Sequence, residues 1–172
     1  GIAAGLHLKS NIMKNKILIA VLIITGFSAC SVSKEARSIK KTINGNWVLQ
    51  TVVTEGIAGV VKTKSFNEAE FGCFIGSEWS FIANNSMGSY SIIDTKKECP
   101  TIKRLIRWSV YEPKGLPKEF QFKRLDDKKN PMDDNAGFRL KIVELEAKQM
   151  KLKTEITFDG HPAAIIYNFV KK

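Results

Sequence analysis

From residue 44 onward, apolar and polar side chains alternate in twos; in the run before residue 28 they do not alternate at all. A period of two marks strands with one buried and one wet face. In residues 47–53, Trp47, Leu49 and Thr51 share one face and Val48, Gln50 and Val52 the other. A turn, Gly56-Ile57-Ala58-Gly59, follows, and residues 60–64 are expected as a short second strand. Residues 66–71 read as a short helical or irregular cover. Residues 78–83 put Trp79 and Phe81 on one face, Asn84-Asn85-Ser86 tolerates a left-handed turn, and residues 87–93 return with Tyr90 and Ile92.

Four further runs continue the rhythm. Residues 102–111 align Ile106, Trp108 and Val110, and residues 119–125 align Phe120 and Phe122 against Gln121 and Lys123. Residues 137–146 begin with Phe138, Leu140 and Ile142, then change phase to Val143 and Leu145, which predicts a bulge. Residues 149–158 alternate throughout, Asp159-Gly160 supplies a two-residue turn, and residues 162–170 form the last strand.

Eight to nine strands joined by short turns describe an antiparallel meander. Such a meander leaves two open edges unless it closes, and closure into a barrel removes both. The predicted fold is therefore all-β, an up-and-down barrel over residues 43–172. About eight strands enclose room for packed side chains or one small ligand. The expected inward set is Trp47, Trp79, Phe81, Tyr90, Trp108, Phe120, Phe122, Leu140, Leu152 and Ile156.

The uniform stretch at residues 13–30 is of a different kind. Lys14 and Lys16 precede an uncharged apolar run at residues 17–27, and Ser28-Ala29-Cys30 closes it with small residues. That is the layout of a secretory signal, and the run is shorter than the roughly 20 residues a membrane span needs. Phe27-Ser28-Ala29-Cys30 resembles the lipobox of bacterial lipoproteins, with Phe27 where an aliphatic residue is usual. The resemblance implies cleavage before Cys30, acylation of Cys30, and a membrane anchored through that lipid. Two or three acyl chains would hold the protein durably, since each buried CH₂ contributes ~0.8 kcal/mol. The expected organisation is an upstream piece and cleaved leader at residues 1–29, a lipidated tether at residues 30–42, then the barrel. Translation is expected to start at Met13. Ser31 after the cysteine points to the outer membrane rather than retention in the inner one.

Charge adds a preference in partners. Loss of Lys9, Lys14 and Lys16 with the leader lowers the formal net charge from +10 to +7. A basic surface favours anionic lipid headgroups or polysaccharide; an exported protein has little call on nucleic acid. With Cys30 given to lipid, Cys73 and Cys99 remain as a pair in an oxidising compartment, so a disulfide is expected, two buried thiols being the alternative.

Gly45-Asn46-Trp47 at the start of the first strand matches the Gly-x-Trp of lipocalins. Taken with Cys73, Trp79-x-Phe81, Gly88-x-Tyr90, Cys99, Ile106-x-Trp108, Phe120-x-Phe122-Lys123 and the lipobox, the chain resembles bacterial lipocalin-like lipoproteins. This implies a calyx-shaped barrel whose Gly45 and Trp47 close one end, and whose interior takes a small apolar molecule. Trp79, Phe81, Tyr90, Trp108 and Phe122 are the ligand-binding residues to expect. The Thr-Asp-Tyr motif of lipocalins has no match, and neither has the Arg that flanks the last strand and covers the tryptophan.

No catalytic set emerges. His161 sits in a Gly-His-Pro turn without a partner, and Asp126-Asp127 and Asp133-Asp134 lack the ligand spacing of a calcium loop. The expectation is no enzyme, no cofactor and no metal. The function expected is a lipid-anchored envelope protein carrying a small hydrophobic ligand, with a filled, non-catalytic interaction barrel as the alternative. Oligomeric state is not legible.

Overall fold

The computed structural model describes residues 32–59, 63–93 and 98–172. Cys30 and the leader lie outside the described residues, as do residues 60–62 of the expected second strand. One helix, α1 (Lys34–Ile43), precedes the strands. These are β1 (Gly45–Glu55), β2 (Lys64–Ser65), β3 (Ala69–Glu70), β4 (Glu78–Ile82), β5 (Met87–Ile92), β6 (Ile102–Tyr111), β7 (Glu119–Leu125), β8 (Phe138–Leu145), β9 (Gln149–Phe158) and β10 (His161–Lys171).

Eight of the strands form a closed antiparallel barrel in the order β1-β10-β9-β8-β7-β6-β5-β4. Strands β4 to β10 run as a meander, each paired with its chain neighbour. β1 seals it by pairing with β10 on one side and β4 on the other, with Trp47 opposite both Lys171 and Trp79. The barrel itself therefore has no open edge to template another chain. β2 and β3 form a two-stranded ribbon outside the barrel order, within the β1–β4 connection.

The expected bulge in residues 137–146 is present, as a register shift between Ile142 and Glu144. A second one was not legible. In β1 the register shifts between Leu49 and Thr51, so Thr51 does not share the face of Trp47 and Leu49. Thr51 is exposed and receives a hydrogen bond from Asn168, while Val52 packs on the core. The extra residue turns the strand over partway along.

The largest difference from the expected layout is α1, which takes up most of the segment read as a tether. Ser33 caps it, its hydroxyl accepting from the Ala36 amide at 3.0 Å, and Glu35 and Lys40–Lys41 complement the helix dipole. Ala36 and Ile43 are fully buried. The helix lies over the end of the barrel that carries the β4–β5 and β6–β7 turns. Lys40 Nζ donates to Ser86 Oγ at 2.7 Å and sits 5.6 Å from the centre of the Trp108 ring. Ser33 donates through its hydroxyl to Glu112. A ten-residue amphipathic segment in a run of lysines carries too few apolar residues to stand out from a linker.

Gly45 and Trp47 lie at that end. Trp47 is fully buried and its Nε1 donates to Ile43 O at 2.7 Å. Lys171 Nζ lies 5.1 Å from the centre of the Trp47 ring and donates to Thr42 O at 3.0 Å. A lysine of the last strand thus provides the cation over the tryptophan where the resemblance offered no Arg. Gly45 has φ +121°, and a Cβ there would stand 2.9 Å from Lys171 Cε.

At the opposite end the disulfide Cys73–Cys99, with Cα atoms 5.6 Å apart, ties the β1–β4 connection to the β5–β6 loop. It closes a loop of sequence separation 26. Replacing both cysteines with serine should lower unfolding free energy by about 3–4 kcal/mol in a denaturant titration. An unchanged midpoint would show that the ion cluster described below holds this end without it.

Candidate functional site

The five residues expected to bind ligand all point into the barrel. Trp79 and Phe81 come from β4, Tyr90 from β5, Trp108 from β6 and Phe122 from β7, and none is more than 2% exposed. They touch one another. Ring centres are 4.5 Å apart for Trp79 and Tyr90, 5.4 Å for Phe81 and Trp108, and 5.9 Å for Trp79 and Phe122. Their polar atoms are satisfied: Trp79 Nε1 donates to Ser77 Oγ at 2.8 Å and Trp108 Nε1 to Met87 O at 3.0 Å. Aromatic pairs at such separations contribute about 0.5–1.5 kcal/mol each beyond area burial.

The centre of this set is held by a residue the strand pattern did not pick out. Phe66 enters from the β1–β4 connection, not from the barrel wall. Its ring lies 5.1 Å from Phe122, 5.2 Å from Tyr167, 5.3 Å from Phe74, 5.5 Å from Phe138 and 6.0 Å from Trp79. Phe66 and its neighbour Asn67 adopt φ of 54° and 53°. A bulky side chain at positive φ is rare and costs of the order of 1–3 kcal/mol unless its surroundings impose it.

Those surroundings are an ion cluster. Glu68 accepts from Arg104 through both carboxylate oxygens, at 2.8 and 2.9 Å, from Arg124 at 2.8 Å and from the Tyr90 hydroxyl at 2.6 Å. Arg124 reaches on to Asp133 with a two-pronged pair at 2.6 and 2.8 Å. The side chains of Glu68, Arg124 and Asp133 are 7%, 6% and 13% exposed. Ser65 adds a hydrogen bond to the Tyr167 hydroxyl at 2.7 Å. Thus Ser65, Phe66 and Glu68 plug the barrel with one apolar ring flanked by polar clasps.

Burial on its own would raise the Glu68 carboxyl, but hydrogen bonds from Arg104, Tyr90 and Arg124 outweigh it and hold the group at about 2. Burial, then the bond to Glu68, pushes the Tyr90 phenol well above its ordinary value. Arg124 holds Asp133 below the usual carboxylate range. Two guanidinium groups face two carboxylates, so the cluster is formally neutral and fully hydrogen-bonded, the condition under which buried charges are tolerated.

Arg124 is buried and Arg104 faces the plug. The polar connection at residues 126–135 is not simply solvated: Asp133 is clasped, and Asp133, Asp134 and Asn135 all have positive φ. A signal existed. Arg124 keeps the phase of Phe120 and Phe122, and Arg104 that of Ile106 and Trp108, so each charge fell on an inward face at a strand end. Among the described residues, no three His, Cys, Asp or Glu side chains converge to hold a metal.

The molecule is thus a closed eight-stranded antiparallel up-and-down barrel with an aromatic interior. No family model matches the chain, and no curated protein matches its sequence. Among solved structures it is similar to a lipocalin-like protein from Bacteroides uniformis ATCC 8492, at 14% identity and TM-score 0.43, covering 76% of this chain and 99% of that one. It is also similar to a deswapped triple mutant of bovine odorant binding protein, at 10% identity and TM-score 0.39, covering 76% of this chain and 74% of that one.

Proposed function

We propose that the protein is a lipid-anchored, non-catalytic binding protein of the cell envelope, tethered to the outer membrane through Cys30. Its barrel takes one small apolar, ring-bearing molecule into the space that Phe66 fills in the closed form. The observation that carries this reading is the origin of the central ring. A side chain from the wall could not leave without opening the sheet; one from a loop can. Withdrawal of residues 65–68 would bare Phe74, Trp79, Phe122, Phe138 and Tyr167 to a ligand. Apolar area removed from water supplies the affinity, at about 25 cal/mol per Å² before the cost of displacing the turn.

A second reading has its own support. The rings already stand at contact distance, as they would in a filled barrel that works only through its surface. N-phenyl-1-naphthylamine, an apolar probe that accepts energy from tryptophan, separates the two. Saturable transfer from the buried tryptophans at one probe per barrel is the expected result. No saturable transfer, at probe concentrations up to its solubility, favours the filled module. The anchor is tested apart from the barrel: Cys30→Ser should abolish incorporation of labelled palmitate.

A further inference from the structure

The outer face of the barrel carries a groove of about 760 Å³ between β6, β7 and the start of β8. Register rows across the sheet build it. Ser109 faces Gln121, which faces Arg139, and in the next row Arg107 faces Lys123. Asn135 and Gly137, from the connection into β8, complete the wall. Gly137 lets the strands approach: a Cβ there would meet Phe122 O at 3.1 Å and Lys123 Cγ at 3.2 Å.

The charges in this groove differ from those on the rest of the barrel. On β8 and β9 and just past β10, cations sit against acids in the pairs Lys141–Glu155, Lys151–Glu144, Lys153–Glu55 and Lys172–Glu78. The groove is lined by Arg107, Lys123 and Arg139 and by no acid. Among the described residues, Lys123 Nζ donates to the neutral Asn135, at 2.8 Å, and to no acid. Arg139 lies flat on Tyr111, 3.7 Å from the ring centre, and hydrogen-bonds Gln121, with Glu119 3.8 Å away outside the lining. Arg107 and Lys123, which have no acidic partner among the described residues, make this concave site a focus of positive potential.

We infer that this groove is a second binding site, separate from the barrel interior, and that it takes an anionic oligosaccharide. Guanidinium forks fit planar carboxylate or sulfate groups two bonds at a time. Gln121, Ser109 and Asn135 offer the paired donors and acceptors that sugar hydroxyls need. A lipid surface fits less well. Membrane-surface binding combines cations with apolar side chains that enter the interface, and the exposed large apolar residues, such as Val53, Ile75, Ile82 and Val143, lie elsewhere. The site depends on neither the plug nor a ligand inside the barrel.

The test uses the full chain in detergent and titrates it with labelled oligogalacturonate and a sulfated oligosaccharide of equal length, then with inorganic phosphate and with phosphatidylglycerol vesicles. Saturable binding of either oligosaccharide is expected. Arg107→Ala with Lys123→Ala should weaken it about tenfold or more, since bonds to charged groups are lost. Lys151→Ala with Lys153→Ala, which removes paired cations, should change it less than twofold. The preferred oligosaccharide identifies the anionic group. Binding of neither, equal losses in both double variants, or phosphate or vesicles binding as tightly with the same variant dependence would overturn the assignment.

Discussion

Glu68→Gln is expected to destabilise the protein by about 3–5 kcal/mol, because it leaves Arg104 and Arg124 charged and poorly partnered at a largely buried site. The amide keeps the size of the side chain, so packing around Phe66 changes little and the loss reports the charge. Acid should act on the wild type in the same way. The folded-state carboxyl sits at about 2 and its ordinary value is 4.5. A lowered folded value means that the stabilisation is complete above 4.5 and is lost as pH falls through 2. Asp133, also lowered, steepens that loss. Glu68→Gln should therefore flatten the acid limb of the stability curve between these values. A denaturant series from pH 6 to pH 2 measures both effects. A variant as stable as the wild type, with the same acid limb, would mean that the cluster does not hold the plug.

Phe66→Ala should cost a comparable amount, about 3–5 kcal/mol, for a different reason. It empties the centre of the aromatic set, and buried Phe→Ala changes lose both transfer free energy and packing. This site has a further property. Alanine at φ near +54° remains strained, so the turn gains little in return. The hole is lined by five rings from β4, β7, β8, β10 and the short helical turn at Phe71–Phe74. It should stay dry and bind apolar probes more tightly than the wild type does, since no side chain competes. Binding to the folded state alone then restores stability, by roughly 2.7 kcal/mol at a hundredfold excess over Kd. A melt with and without N-phenyl-1-naphthylamine reads the restoration. Equal shifts in wild type and variant would place the probe elsewhere.

The barrel was legible because alternation is a local property. Trp79 and Phe81, Trp108 with Ile106, and Phe120 with Phe122 announce their face within a few residues, and antiparallel pairing follows from short turns. The plug was not legible, since Phe66 and Phe74 sit in a connection with no period, and nothing in FNEAEF distinguishes a ring that enters the core from one that covers it. The ion cluster joins Glu68, Arg104, Arg124 and Asp133 across up to 65 positions of chain. Only its phase within β6 and β7 hinted at burial. The shift in β1 went unseen because Val48, Val52 and Val53 support either face; in β8 the change from Ile142 to Val143 exposed the same device.

The most direct test of the central claim, that Phe66 occupies a ligand's place, is native mass spectrometry of the protein purified from its native cells. The account predicts a barrel carrying one apolar small molecule in a fraction of the wild-type protein, and in a larger fraction of Phe66→Ala. Bare barrels in both, over repeated preparations, would contradict it.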